Sequence, residues 1–173
     1  MLLRAVTASD LPVFFEHQCD PAACHMAAFT AREPANRQTF DAHWTRILAD
    51  ASIVIRVIVV DVDVDLDVDV RVVGHVLSYL EGGEREVSYW IGRPHWGRGL
   101  ATHALRQFLA EQIERPLHAR AAKDNLASIR VLERCGFKAC GEGRGFAEAR
   151  GAEIEELVFR LDEFAAPATP ATR

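Results

Sequence analysis

The sequence lacks any apolar run approaching the roughly 18 residues that a membrane-spanning helix needs, which excludes a transmembrane helix. Its opening segment, MLLRAVTASDLP, also lacks a basic stretch followed by an apolar core and a small-residue cleavage site, so it does not resemble a secretory signal. Together these absences predict a cytoplasmic protein that does not associate with membranes.

Cysteine is scarce, and the four cysteines of the chain match no familiar metal framework. Four residues separate Cys19 from Cys24, and four separate Cys135 from Cys140, a spacing found in no common zinc site. A cytoplasmic location keeps such thiols reduced. We therefore expect ordinary buried or half-buried thiols and no metal.

Positively charged residues are fewer than negatively charged ones. The sequence has 20 lysine and arginine residues and 25 aspartate and glutamate residues, which gives a formal net charge of −5. This balance disfavours non-specific binding to nucleic acid through a basic face. We expect no nucleic-acid partner, and an acidic protein suits a cationic acceptor slightly better than an anionic one.

What the chain does have is the composition of one globular domain. Hydrophobic residues make up 49% and charged residues 26% of the sequence. Its 173 residues suffice for one well-packed domain and are too few for two of ordinary size. We place this domain at residues 1–164 and predict that the tail at 165–173, rich in alanine, proline and threonine, is disordered.

Hydrophobic periodicity predicts an α/β (α+β) chain with the element order β-α-α-β-β-β-α-β-α-β-β and about four helices. After a first short strand, the opening third is helical. A later helix at residues 99–113 carries one apolar stripe, formed by Ala101, Ala104, Leu105, Phe108, Leu109 and Ile113.

Residues 61–70 alternate strictly between aspartate and an aliphatic residue. In a strand, this pattern places five carboxylates on one face and five aliphatic side chains on the other. It predicts a long hairpin arm that bends at residues 63–67, although no glycine, asparagine or proline marks the turn.

The segment at residues 86–102 reads as a strand that passes through a glycine-containing turn into a helix. Gly97, Gly99 and the small Ala101 allow a phosphate to approach the backbone, and the unpaired N–H groups of the first helical turn donate to it. This predicts a pyrophosphate-binding turn. The segment is not a Walker loop, because it lacks the lysine and the hydroxyl residue that follow the second glycine.

Two further motifs follow, namely Asn125-Leu-Ala-Ser128 and Gly136-Phe137. With Tyr89-Trp90-Ile91 and Trp96-Gly-Arg-Gly99-Leu-Ala101-Thr102, they make the chain resemble the GCN5-related N-acetyltransferases (GNATs), and within them the RimJ/RimL type. The family signature Gln/Arg-x-x-Gly-x-Gly/Ala is matched with Trp96 in its first position. The resemblance is good over residues 73–137 and rests on element order elsewhere.

The resemblance implies a single-domain GNAT fold with a mixed, mostly antiparallel, seven-stranded sheet. It also implies direct transfer of an acetyl group from acetyl-CoA to a primary amine. A protein or peptide amino terminus is the favoured acceptor, a small-molecule amine is the other, and the chain acts as a monomer or homodimer. The residues implied in cofactor binding are Trp90, Ile91, Trp96, Gly97, Arg98, Gly99, Leu100, Ala101, Thr102, Asn125 and Ser128.

The implied chemistry needs a base for the amine and a proton donor for the leaving thiolate. Glu86 is the candidate base, with a surface carboxylate as its other interpretation, and the alternatives are His75, Glu84 and Tyr89. Backbone N–H groups at residues 89–91 are expected to polarise the carbonyl.

Many family members place a tyrosine where this chain has Leu132, so Ser128 is the hypothesised hydrogen-bond donor or acid. Asn125 and Ser128 also have a simpler interpretation as helix caps. The absence of the tyrosine leaves a second function open, that of a non-catalytic acyl-CoA-binding module. Six residues of the early helices could line an acceptor pocket, but packing in the core is the favoured interpretation of each. They are His25, Met26, Phe29, Phe40, His43 and Trp44.

Overall fold

The computed structural model describes residues 1–64 and 67–163, without the side chains of residues 62–69. The tail predicted at 165–173 lies outside the described residues, as do residues 65–66 of the bend predicted at 63–67. Within them, no helix is long and apolar enough to span a membrane.

Seven strands form one sheet in the order β1-β2-β3-β4-β5-β7-β6, and all neighbours are antiparallel except β4 and β5. The predicted mixed, mostly antiparallel sheet is confirmed. The strands are β1 (Leu2–Arg4), β2 (Val54–Val64), β3 (Asp67–Glu81), β4 (Glu84–Ile91), β5 (Leu117–Ala122), β6 (Lys138–Ala147) and β7 (Ala152–Leu161). The helices are α1 (Leu11–Gln18), α2 (Pro21–Ala27), α3 (Arg37–Ala49), α4 (Leu100–Glu111) and α5 (Leu126–Arg134).

The described residues thus contain five α-helices rather than about four, because the opening third holds three helices where the predicted order counted two. Asp20 separates α1 from α2: its carboxylate accepts hydrogen bonds from the N–H groups of Ala22 and Ala23, and Pro21 follows as the first helical residue. A new helix therefore begins there.

The predicted hairpin arm is present in the backbone. β2 and β3 pair from Val54 opposite Ser78 to Val64 opposite Asp67, with one irregularity between Ile58 and Val59.

Helices cover both faces of the sheet, because successive side chains of β2 point alternately to one face and the other and pack against helices on each. Ile58 packs in a cluster with Leu105 and Phe108 of α4, whereas Val57 and Val59 pack on the other face. This second cluster includes Phe14, Phe40 and Trp44 from the early helices. The predicted apolar stripe of α4 is confirmed except at Ile113, which is 87% exposed because α4 ends at Glu111.

His75 lies among the aromatic rings of the second cluster. Its ring centroid is 4.7 Å from that of Phe14 and 5.1 Å from that of Trp44. Burial lowers the pKa of His75 to about 3, and the neighbouring His17 and His43 act in the same direction. The imidazole is therefore neutral in the folded protein at physiological pH.

We expect the free energy of unfolding to fall as the pH drops below about 6.5, the pKa of histidine in an unfolded chain. Between that pH and about 3, the unfolded chain holds a proton at His75 that the folded protein lacks. This one group lowers stability by about 1.4 kcal/mol per pH unit. Urea titrations at several pH values measure the slope.

The variant His75→Phe should remove this part of the pH dependence, and His103→Gln on the exposed face of α4 is the matched control. A full slope retained in His75→Phe would contradict the assignment.

Candidate active site

The sheet opens between β4 and β5. These parallel strands are paired only at Glu86 opposite His118, although β4 continues to Ile91 and β5 to Ala122. A cleft of about 930 Å³ lies at this opening, bordered by both strands, α2 and the amino-terminal ends of α4 and α5. The parallel pair therefore creates the space in which a ligand can pass between two strands.

A glycine-containing loop connects β4 to α4 at one end of the cleft. The indole N–H of Trp96 donates to the Ile91 carbonyl at 2.7 Å, which holds the loop against the end of the strand. Gly97 and Gly99 have φ values of 73° and 74°, a region that glycine adopts at little cost. The loop conformation thus depends on both glycines.

The first turn of α4 presents free N–H groups to the cleft. The His103 N–H donates to the Gly99 carbonyl at 3.1 Å, and the amides before it have no carbonyl one turn back to bind. A Cβ atom built on Gly97 or Gly99 meets nothing within 4 Å, so the space beside the backbone is open. Free amides and open space at a helix amino terminus fit a phosphate group.

Every residue predicted to bind the cofactor lines this cleft. They are Trp90, Ile91, Trp96, Gly97, Arg98, Gly99, Leu100, Ala101, Thr102, Asn125 and Ser128. Their contact with a cofactor remains a prediction.

Asn125 caps α5 and also ties it to α2. Its Oδ1 atom accepts from the Ser128 N–H at 3.1 Å, and its Nδ2 group donates to the Met26 carbonyl at 2.9 Å. The cap interpretation of Asn125 is therefore confirmed. The cap interpretation of the Ser128 hydroxyl is wrong, because α5 already begins at Leu126 and Ser128 contributes its backbone N–H to the cap.

The Ser128 hydroxyl instead contacts Tyr89, with 2.8 Å between the two oxygens. Both residues line the cleft, as does Leu132, which has only 1% of its surface exposed. Burial raises the pKa of Tyr89 to about 12, against the opposing effect of its hydrogen bond with Ser128. At neutral pH the phenol thus keeps its proton and can donate a hydrogen bond.

Glu86 lines the cleft but is only 5% exposed, so its interpretation as a surface carboxylate is wrong. One oxygen accepts from Arg120 Nε at 3.0 Å and the other from the Tyr79 hydroxyl at 3.3 Å. Arg120 also donates to Glu156 Oε1 at 2.9 Å. Its hydrogen bonds to Glu86 and Glu156 raise the pKa of Arg120, which is therefore a fixed positive charge between two buried carboxylates.

The comparisons with known proteins agree with this geometry. Residues 1–138 match the family described as the acetyltransferase (GNAT) domain. The chain belongs to the GNAT family. The predicted resemblance is thereby confirmed.

A curated relative of this GNAT chain, the uncharacterized N-acetyltransferase p20 of Bacillus licheniformis, is 31% identical over 86 residues. The match covers 47% of this chain and 48% of that protein, so the chain matches about half the length of this relative.

Solved structures show the same GNAT fold. A ribosomal-protein-alanine N-acetyltransferase from Brucella melitensis superposes with a TM-score of 0.68 and 22% identity, covering 94% of this chain and 100% of that one. A spermidine N-acetyltransferase from Vibrio cholerae, in complex with CoA and spermine, superposes with a TM-score of 0.70 and 16% identity. The match covers 92% of this chain and 94% of that one.

In this GNAT domain, two of the alternative bases lie away from the cleft lining. His75 is enclosed by aromatic rings on α1 and α3, and the largely exposed Glu84 approaches His118 Nδ1 at 3.5 Å. Among the early-helix candidates, Met26 and Phe29 line the cleft. Outside that lining lie His25, Phe40, His43 and Trp44, of which Phe40 and Trp44 belong to the core.

Three polar residues of the GNAT cleft are not predicted from the sequence, namely Tyr79, Arg120 and Glu156. One feature of the sequence could have pointed to Arg120. It is the one arginine in β5, whose sequence Leu-His-Ala-Arg-Ala-Ala is otherwise mainly apolar. Glu156 has no such signal, because its strand contains several glutamates.

Proposed function

We propose that this chain is an N-acetyltransferase that transfers an acetyl group from acetyl-CoA directly to a primary amine. The observation that carries the proposal is the opposite charge of the two ends of one cleft. Arg98 lines it from the glycine loop and Arg130 and Arg134 line it from α5, while Glu86 and Glu156 line it from β4 and β7. An anionic cofactor and a cationic amine can thus approach each other through the split between β4 and β5.

The residues present suit acetyl-CoA as the acetyl donor. The amides at the start of α4 would hold its diphosphate, assisted by Arg98, and its arm would run between β4 and β5 beside Trp90. The Vibrio cholerae structural neighbour, which contains CoA, supports this choice.

Glu86 is proposed to remove the proton from the amine, directly or through water. An alkyl ammonium has a pKa of about 10.4, so the acceptor arrives protonated at neutral pH and cannot attack until it loses that proton. Glu86 lies in the cleft where β4 and β5 separate. Both of its hydrogen-bond partners are donors, which matches an ionised carboxylate.

The nitrogen–carbon bond then forms, and negative charge develops on the carbonyl oxygen. Beyond Glu86, β4 has no partner strand on its β5 side in the described part of the chain, so N–H groups on that edge at residues 89–91 are available to that oxygen. Breaking the carbon–sulfur bond releases a thiolate.

Tyr89 and Ser128 are proposed to stabilise that thiolate. A thiol has an ordinary pKa of about 8.5, whereas that of Tyr89 is about 12, so full proton transfer from the phenol is unfavourable. The pair therefore acts by hydrogen bonding, and the thiolate takes its proton from solvent.

Replacing Tyr89 by phenylalanine should lower kcat roughly tenfold, because one hydrogen bond to a developing anion is lost. Ser128→Ala should also lower kcat, and the control is Ser9→Ala, which removes an exposed hydroxyl outside the cleft lining. Stopped-flow measurement of thiol release tests this. Full turnover of Ser128→Ala with normal acetyl-CoA affinity would show that Ser128 has no such role.

The proposed activity is tested by measuring free thiol release from acetyl-CoA with a library of amines. Thiol release that depends on an amine supports an enzyme. Thermal stabilisation by acetyl-CoA without thiol release from any amine would instead favour the non-catalytic binding module.

The acceptor has two candidates. A protein or peptide amino terminus follows from the RimJ/RimL resemblance, and the Brucella melitensis neighbour is named for such an acceptor. A small-molecule amine is favoured by the buried carboxylates of the cleft. Cytoplasmic location and a monomeric or homodimeric state remain predictions.

A further inference from the structure

Glu156 on β7 places a carboxylate in the cleft on the side opposite the glycine loop. The residue is only 7% exposed, and Oε1 accepts from Arg120, whereas Oε2 has no hydrogen-bond partner within residues 1–64 and 67–163. Gly143 lies opposite on β6, where a Cβ atom would be 2.6 Å from Oε1. The glycine thus leaves the space that this carboxylate occupies.

The charges around Glu156 do not balance. The buried Glu86 and Glu156 line this side of the cleft together with the exposed Glu81. Arg120 is the cation between the two buried carboxylates, so three negative charges face one positive charge. Tyr79 adds no charge, since burial, with Glu86 beside it, raises its pKa to about 12. A buried carboxylate is unfavourable unless it is fully paired, so this side of the cleft favours a ligand with more than one positive charge.

We infer that the acceptor is a short aliphatic diamine, an inference that rests on the proposed acetyltransferase activity. One amine reacts beside Glu86, and the second stays protonated and pairs with the free oxygen of Glu156. Because both carboxylates contact the guanidinium of Arg120, a few methylene groups suffice to separate the two nitrogens.

The second ammonium group takes no part in bond making. At the first nitrogen a nitrogen–carbon bond forms while the carbon–sulfur bond breaks, and its proton passes through Glu86 to solvent. A monoamine becomes neutral when it loses this proton, and the negative charges of the carboxylates are then not balanced by the ligand. A diamine still carries one positive charge, so Glu156 determines acceptor specificity rather than the chemical step.

Three acceptors of matched length separate charge from size, namely putrescine, butylamine and γ-aminobutyrate. Thiol release should give putrescine a kcat/KM at least about tenfold above that of butylamine, because an ammonium–carboxylate hydrogen bond is gained. γ-Aminobutyrate, which adds a negative charge, should be the poorest. A tripeptide without basic side chains reports on amino-terminal acceptors.

The variant Glu156→Gln keeps the side-chain shape and removes the charge. The KM for putrescine should rise about tenfold relative to the KM for butylamine, whereas the ratio of the two kcat values should change less than twofold. Glu156→Asp should restore part of the preference. The control is Glu155→Gln, a neighbouring carboxylate with 63% of its side chain exposed that pairs with Lys123 outside the cleft. Unchanged melting temperature and acetyl-CoA affinity confirm that each variant is folded.

Equal use of putrescine and butylamine by the unmodified protein would overturn the inference, as would a Glu156→Gln variant that keeps the preference. Faster turnover of the tripeptide than of putrescine would also overturn it, in favour of an amino-terminal acceptor. Absence of thiol release from every amine is a separate result, because it refutes the proposed acetyltransferase activity itself.

Discussion

The variant Glu86→Gln is expected to lower kcat about 100-fold at neutral pH, the lower end of the range for loss of a general base. The amide cannot take the ammonium proton, whereas the volume of the side chain is kept. The loss should shrink as the pH approaches about 10, where the amine is neutral in solution. A pH profile of kcat for thiol release measures both effects.

The matched control is Glu84→Gln, which removes a largely exposed carboxylate from the same strand outside the cleft lining. It should retain the kcat of the unmodified protein. The acetyl-CoA dissociation constant of Glu86→Gln should also stay normal, since Glu86 lies on the acceptor side. Wild-type kcat in a folded Glu86→Gln variant would eliminate Glu86 as the base.

Gly99→Ala is expected to raise the acetyl-CoA dissociation constant about 100-fold, through loss of two hydrogen bonds to a charged group at about 1.5 kcal/mol each. At a φ of 74° a Cβ atom costs about 1–2 kcal/mol. The loop relieves this strain by moving its amides, and the added methyl group enters space beside the backbone that is otherwise open. Titration calorimetry gives the constant directly.

Gly151→Ala separates backbone strain from ligand binding. Gly151 has a φ of 61° and no neighbour within 4 Å of a built Cβ atom, but it lies in the β6–β7 turn outside the cleft lining. Both variants should lose similar stability in urea, while only Gly99→Ala loses affinity. Equal affinity of the two variants would show that the Gly97–Gly99 turn does not hold acetyl-CoA.

Most of the fold follows from local patterns in the sequence. The period of the apolar residues predicts α4, and alternation predicts the paired strands of the arm. The prediction that Ile113 belongs to the apolar stripe is wrong, because an apolar residue just after a helix keeps the same period. Periodicity cannot show that α4 already ends at Glu111.

The candidate site was predictable where its residues are close in the chain. Gly97 and Gly99 can be recognised because positive φ and free amides are local properties of a turn before a helix. The roles of His75 and Ser128 were harder, since each depends on a partner far away in the sequence. His75 contacts Phe14 and Trp44, and Ser128 contacts Tyr89.

The sequence by itself determined the number of strands, the glycine loop and the membership of the GNAT family, because these depend on spacings within a few dozen residues. Only the tertiary structure decided which carboxylates share the cleft. Glu86, Arg120 and Glu156 lie on three different strands, and they meet because β5 stands between β4 and β7 in the sheet. Ion pairs of that kind arise from strand order, which no local pattern encodes.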